Sequence, residues 1–442
     1  MIKGEKMLDN APVGKVIWKL ALPAILTTLI STIYNLTDTY FIGLTRDTAQ
    51  LSAVSAAMPY MWLFSALWGI FAAGAPQLIS LSLGKGETGE AQSIGRYAIL
   101  AAGCAGLLLT PVGLLLMGPG LRLVGAEGAV LRHGENYLRW ILLSGVFSAL
   151  SGSFQGILRA HGRSLAASLS SAAGILVNIA LDPVMIFALD MGIGGAGLAT
   201  ALGSVASFGV GAACLRPSLR GGLPDGKTRR KVLLNALPAT VNSVILCCTM
   251  GFSLALASGD GGNTMAAVSV ASKLYSVVVS IVSALAYSLQ PFIGYHFGAG
   301  KYVRLRRGMV ASLCAGTVFC LAGAAVFLAA GGPLMGLFTR DAALIAQGRQ
   351  MLRCLCVGLS VAALQMSALS YLSATGKAVS ALIVSLCRQV VIFLPMVGVL
   401  NHFFGFVGLA LAYPVTDVLS TVPALILCAR DRKLYSRKAA QA

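Results

Sequence analysis

Apolar stretches of about 20 or more residues recur along this whole chain, and each is long enough to cross a hydrocarbon core about 30 Å thick. Inside lipid every backbone polar group must find a partner within the protein, so only helices and closed barrels cross. A barrel would show short segments of alternating polarity, and none is present. The expected fold is therefore an all-α polytopic membrane protein. Composition agrees: 57% of the 442 residues are hydrophobic and 11% charged, where a soluble domain carries about 25% charged residues.

The apolar-length rule gives about twelve spans. They lie near 16–43, 52–82, 94–118, 136–158, 165–190, 193–216, 232–258, 264–297, 308–330, 350–373, 378–400 and 405–429. The first apolar run is too long for a signal peptide, lacks a clear cleavage site and carries Asp38, so it reads as a membrane helix. The net charge of +18 sits in short connections between spans, as in KTRRK (227–231) and KYVRLRR (301–307). That placement is an orientation signal, not a nucleic-acid surface. An even number of spans puts both termini on the basic side, which places them in the cytoplasm and the chain in the cytoplasmic membrane. The ten cysteines lie mostly in apolar runs without metal-site spacing and read as small packing residues.

The sequence repeats itself at an offset of about 214 residues. LALPA (20–24) answers NALPA (235–239), LGKGE (83–87) answers FGAGK (297–301), and GENYLR (134–139) answers GRQMLR (348–353). Pro76 answers Pro291, and the order of matches is the same in both halves. Six spans per half give both halves the same topology. The expectation is twelve transmembrane helices in two six-helix lobes related by a parallel pseudo-two-fold repeat. The lobes run 1–214 and 232–442, with a polar linker at 215–231. Pro23 with Pro238, and Pro76 with Pro291, are expected to kink or break equivalent helices.

Departures from the repeat point to function. Asp38 has Asn35 three residues before it, and Asp182 has Asn178 four before it, spacings that put each pair on one helix face. Shifted into the second half, these positions fall near Ser253, Met250, Leu394 and Val390, so the acids have no counterparts there. Asp182 lies about 12 Å along its helix from Asp190, and Thr200 sits at similar depth in the next span. Three helices of one lobe thus offer two carboxylates, two amides and a hydroxyl, a hard-oxygen set for Na⁺ or a proton. An ionised Asp at the centre of a membrane helix costs about 2.5–3.5 kcal/mol, and two in one bundle raise each other's pKa; ion binding relieves both. Pro183, directly after Asp182, removes a backbone donor and lets the helix bend with occupancy.

In the second half, Arg388 and Asp417 lie near mid-depth on successive spans and read as a buried structural ion pair, while Lys273 is expected to face the cavity or to pair elsewhere. Tyr34, Met250, Met265, Tyr275 and Gln290 are candidates for contacting substrate, because Met and aromatic side chains adapt to varied apolar ligands and aromatic faces attract cations.

The segments YNLTDTYFIG (34–43), GAPQLISLSLGKG (74–86), GILRAHGRS (156–164), NIALDPVMIFALDMGIGGAGLAT (178–200), SLQPFIGYHFGAGKY (288–302) and CRQVVIFLP (387–395) resemble those of multidrug and toxic compound extrusion (MATE) transporters of the bacterial branch. The resemblance implies a central cavity and export of amphipathic organic cations against H⁺ or Na⁺. Its cation-site residues map onto Asp38, Asn178, Asp182 and Thr200, with Tyr137 as a further member. Acids used by some members in the second lobe are missing here, where Cys247, Cys248 and Gln365 stand instead. No cofactor beyond the coupling ion and no nucleic-acid partner is expected; the chain is expected to work among membrane lipids as a monomer. The rival readings are a lipid-linked oligosaccharide flippase of the same superfamily, kept open by Lys273 and Arg388, and a membrane-embedded enzyme. The enzyme reading is disfavoured because the buried acids stand on separate helices without a phosphate-binding loop.

Overall fold

The computed structural model describes residues 7–9, 11–44, 48–215, 222–259, 262–338 and 341–439, without the side chains of 35, 36, 38–40, 42–44, 48, 51, 246–259, 262–267, 269, 406 and 431–439. Helices fill the described residues and no strand occurs among them. In chain order they are α1 (Val13–Leu44), α2 in two pieces (Thr48–Trp68 and Ile70–Gly84), α3 (Thr88–Leu123), α4 in two pieces (Gly128–Leu143 and Gly145–Ala160), α5 (Ser164–Pro183) and α6 (Gly192–Leu215). The second half continues with α7 (Gly226–Gly259), α8 in two pieces (Gly262–Ser288 and Gln290–Gly298), α9 (Tyr302–Gly336) and α10 (Ala342–Ala374). It closes with α11 (Ala378–Gly405) and α12 (Val407–Arg430). Among the described residues these helices follow the expected order, and ten of them, or eleven with the bent pair of α4 taken as one, are long and apolar enough to cross a membrane. Gly405, at φ 54° and ψ −136°, separates the last two.

Outward faces of these helices are apolar, as lipid requires. Leu107, Leu108 and Leu115 of α3 are 64, 69 and 78% exposed, a pattern that a water-soluble monomer does not sustain over a whole surface.

The chain divides into two compact units, one of Met1–Val244 with Gly294–Lys301, the other of Ile245–Ile293 with Tyr302–Ala442. The first unit thus includes the start of α7 and the end of α8, and glycines explain why. A β-carbon on Gly74 of α2 would lie 2.1 Å from the carbonyl oxygen of Val232 in α7, so the two backbones meet where only hydrogen fits. Asp225 caps α7 by accepting from the Thr228 amide at 3.0 Å, and the Thr228 hydroxyl reaches Glu90 of α3 at 3.4 Å. α7 therefore begins inside the stretch assigned to the linker. In the second unit, Phe327, Met351, Leu352, Leu355, Leu359 and Phe393 belong to one buried apolar core.

The four matched prolines do not all break their helices. Pro23 and Pro238 lie within α1 and α7, neither of which is interrupted there. α2 breaks at Gly69, seven residues before Pro76, whereas α8 breaks at Leu289, two before Pro291. A proline removes one ladder bond, but neighbouring packing decides which turn yields. The clearest consequence follows Pro183: α5 gives way to a π-helical turn, Val184–Ala188, in which the Leu189 amide donates to the Val184 carbonyl at 2.9 Å. A missing amide at Pro183 leaves the ladder free to slip by one residue there.

Candidate cation site in the first unit

α5 and α6 approach unusually closely. A β-carbon on Gly174 would lie 2.6 Å from the Gly203 carbonyl oxygen, and one on Gly203 would lie 2.6 Å from that of Gly174. The reciprocal contact brings backbones together and sets the register of the polar groups one turn further along. There the Asn178 amide nitrogen donates to the Thr200 hydroxyl at 3.1 Å, while that hydroxyl donates to the Ala196 carbonyl at 3.0 Å.

With its nitrogen so engaged, the Asn178 side-chain oxygen is buried and receives no hydrogen bond among the described residues. Asp182 stands one turn along the same face of α5 with no exposed surface. Tyr137 of α4 is 2% exposed, and its carbonyl oxygen lies 2.5 Å from where a β-carbon on Gly197 would be, one turn of α6 from Thr200. α5 and α6 therefore bring together a buried amide and a hydroxyl, with a buried carboxylate one turn along α5, where α4 packs against α6 at Tyr137. These oxygens match the preference of Na⁺ for hard ligands, and a buried carboxylate equally suits a proton.

Asp38 and Asn35 lie on α1, and their side chains fall outside the described residues. α1 is nonetheless tied to α5 at two levels. The Ser164 hydroxyl donates to the Leu20 carbonyl at 2.8 Å, and Phe41 meets Phe187 of the π turn edge-on at 6.3 Å between ring centres. Phe41 is one turn from Asp38, so the backbone of that turn runs beside the end of α5.

The residues expected to contact substrate fall in both units. Met250 and Met265 lie outside the described side chains. Tyr34 and Gln290 are half-buried, on α1 and at the restart of α8. The Tyr275 hydroxyl donates to Asp417 Oδ2 at 3.1 Å. Asp417 in turn accepts from Arg388 at Oδ1, from Nε at 3.0 Å and Nη2 at 2.8 Å, so Arg388, Asp417 and Tyr275 form one cluster within the second unit. Lys273 is exposed.

Sequence reasoning missed several contributors. Gly174 and Gly203 set the spacing of α5 and α6; the small-residue run GGAGLATALG was the available signal. Gln50 accepts from the Ile193 amide at 2.9 Å and caps the first turn of α6, a contact between residues too distant in sequence to foresee. Gln365, already noted in the sequence, donates to Ser420 at 2.5 Å within the second unit.

A single family model, MatE, matches the chain twice, over residues 23–184 and 238–397. The chain belongs to the MatE family. The double match starts at Pro23 and at Pro238, the prolines that open the repeat. Multidrug export protein MepA of Staphylococcus aureus (strain bovine RF122 / ET3-1) is 27% identical over 436 residues, 96% of each chain. The crystal structure of a MATE in complex with MaD3S superposes with a TM-score of 0.93 at 21% identity, covering 99% of this chain and 100% of that one. The Vibrio cholerae MATE transporter VcmN in its bent form gives 0.87 at 25% identity, over 96% and 98%. This MatE member is thus a multi-pass membrane protein with the MATE fold, from a family of transporters and not of enzymes.

Proposed function

We propose that this MATE multidrug efflux transporter is a cation-coupled antiporter that exports amphipathic organic cations across the cytoplasmic membrane by alternating access. The coupling groups are Asp38, Asn35, Asn178, Asp182, Thr200 and Tyr137. In this reading the protein works as a monomer with both termini in the cytoplasm.

One observation carries the reading: a carboxylate with no exposed surface, Asp182, one turn from an amide whose oxygen has no donor among the described residues. An ionised carboxylate buried in a membrane interior is strongly disfavoured. A bound H⁺ or Na⁺ neutralises it. Loss of that ion favours a wetter packing, and the π turn after Pro183 is the segment able to yield. Helices with two hydrogen-bond registers give the bistable element that alternating access needs. The name of the staphylococcal relative supports a range of drug substrates.

The test is a gradient swap. Purified protein in proteoliposomes is given a pH gradient alone, a Na⁺ gradient alone, or neither, and efflux of a cationic dye is followed by fluorescence. Uphill movement with one gradient and none without supports antiport. Equilibration at the same rate in all three conditions refutes it.

A further inference from the structure

The second unit holds a charged cluster that this mechanism does not use. Its geometry is lopsided. The Asp417 side chain is 4% exposed while that of Arg388 is 28% exposed. Asp417 is closed on the other side as well: Tyr275 occupies Oδ2, and a β-carbon on Gly358 of α10 would lie 3.0 Å from that same oxygen. The carboxylate is a backstop, and the guanidinium is what the unit presents.

Arg388 spends only one edge on Asp417, since Nε and Nη2 both converge on Oδ1. The remaining N–H groups, on Nη1 and the outer side of Nη2, have no acceptor among the described residues. An arginine donates to two oxyanions in this way, one on each edge of its planar fork. Its placement is also built. Arg388 sits in a π-helical segment of α11, Cys387–Phe393, a distortion that recurs where a helix must re-aim a side chain for function.

The surface nearby is polar. On α8, Lys273, Ser276, Ser280 and Tyr287 recur at three-, four- and seven-residue spacing and so share one face. Lys273, Ser276 and Tyr287 are exposed, and Tyr287 lies within electrostatic reach of Arg388. Ionisable side chains at membrane depth are rarely turned to lipid.

We infer that Arg388, held in place by Asp417 and Tyr275, binds the carboxylate of an amphipathic zwitterionic substrate through the free edge of its guanidinium. The inference rests on the transport reading above and narrows it: the second unit selects for an anionic group that simple cations lack.

A matched dye pair tests this, a rhodamine bearing a free carboxylate and its methyl ester. Binding to the purified full chain is read by fluorescence anisotropy, and pumping by efflux from proteoliposomes. The wild type is expected to bind the free acid about tenfold more tightly than the ester, the scale of one charge-assisted hydrogen bond. Arg388→Gln abolishes that preference and leaves ester binding unchanged. The paired variant Arg388→Met with Asp417→Leu, which leaves no buried charge unpaired, gives the same loss should the single variant not fold. Equal binding of the two dyes by the wild type, or a preference that survives in either variant, overturns the carboxylate site. The outcomes separate the two readings. Both dyes pumped without preference leaves transport standing and removes the site, whereas preferential binding with neither dye pumped supports the site and removes transport.

Discussion

Gly203→Ala isolates the part played by helix spacing. The added methyl carbon would lie 2.6 Å from the Gly174 carbonyl oxygen, where ordinary contact begins at 3.4 Å. The opposing atom is backbone and cannot rotate away, so α5 and α6 must separate by about 0.8 Å. Separation of that size stretches the Asn178–Thr200 bond from 3.1 Å to about 3.9 Å, beyond hydrogen-bonding range. A lost bond of this type is worth about 0.5–1.5 kcal/mol, so affinity for the coupling ion is expected to fall about two- to tenfold. Overpacking itself destabilises by about 1–3 kcal/mol. Gly209→Ala on the same helix is the control, because a methyl there meets nothing within 4 Å and only improves helix propensity. The assay is dye efflux against coupling-ion concentration, with thermal unfolding measured on the same detergent-purified samples. Were Gly203→Ala to match Gly209→Ala in both, the close approach of α5 and α6 would not be what sets the site.

Asp182→Asn and Asp38→Asn are each expected to abolish uphill dye transport in everted vesicles while the protein still inserts and purifies; unchanged pumping in both would remove the coupling role. Tyr275→Phe leaves the buried Asp417 Oδ2 without its donor, which should destabilise by about 1–3 kcal/mol, read as a lower unfolding temperature in detergent. Asp225, which caps α7 outside the membrane span, is held below the usual carboxylate pKa by hydrogen bonding from Thr228. A depressed pKa makes the cap complete above the ordinary Asp range and lost as pH falls through and below it. Amide exchange at Thr228 is therefore expected to accelerate at acid pH in the wild type, with no such step in Asp225→Asn.

Twelve helices were legible because lipid leaves a chain few options: each apolar run of sufficient length must satisfy its own backbone. The duplication was legible because matched segments such as LALPA and NALPA keep their order. Asp182 stood out for a similar reason, as an ionisable group in an apolar helix carries a strong prior for function. Asn178 was readable from spacing alone, since four residues of helix put it on the same face.

Other features were not local properties. Pro23 looked as disruptive as Pro183, yet α1 runs on through one and α5 gives way to a π turn after the other. Tyr275 read as a substrate contact because aromatic residues near a membrane interior serve many roles; only the fold shows its hydroxyl on Asp417. Composition and periodicity thus determined that this chain crosses the membrane, how often, and which residues carry charge there. Tertiary structure decided which of those residues meet, because the approach of α5 to α6 depends on Gly174 and Gly203 lying opposite each other. That coincidence arises from two distant stretches packing together, and neither stretch encodes it alone.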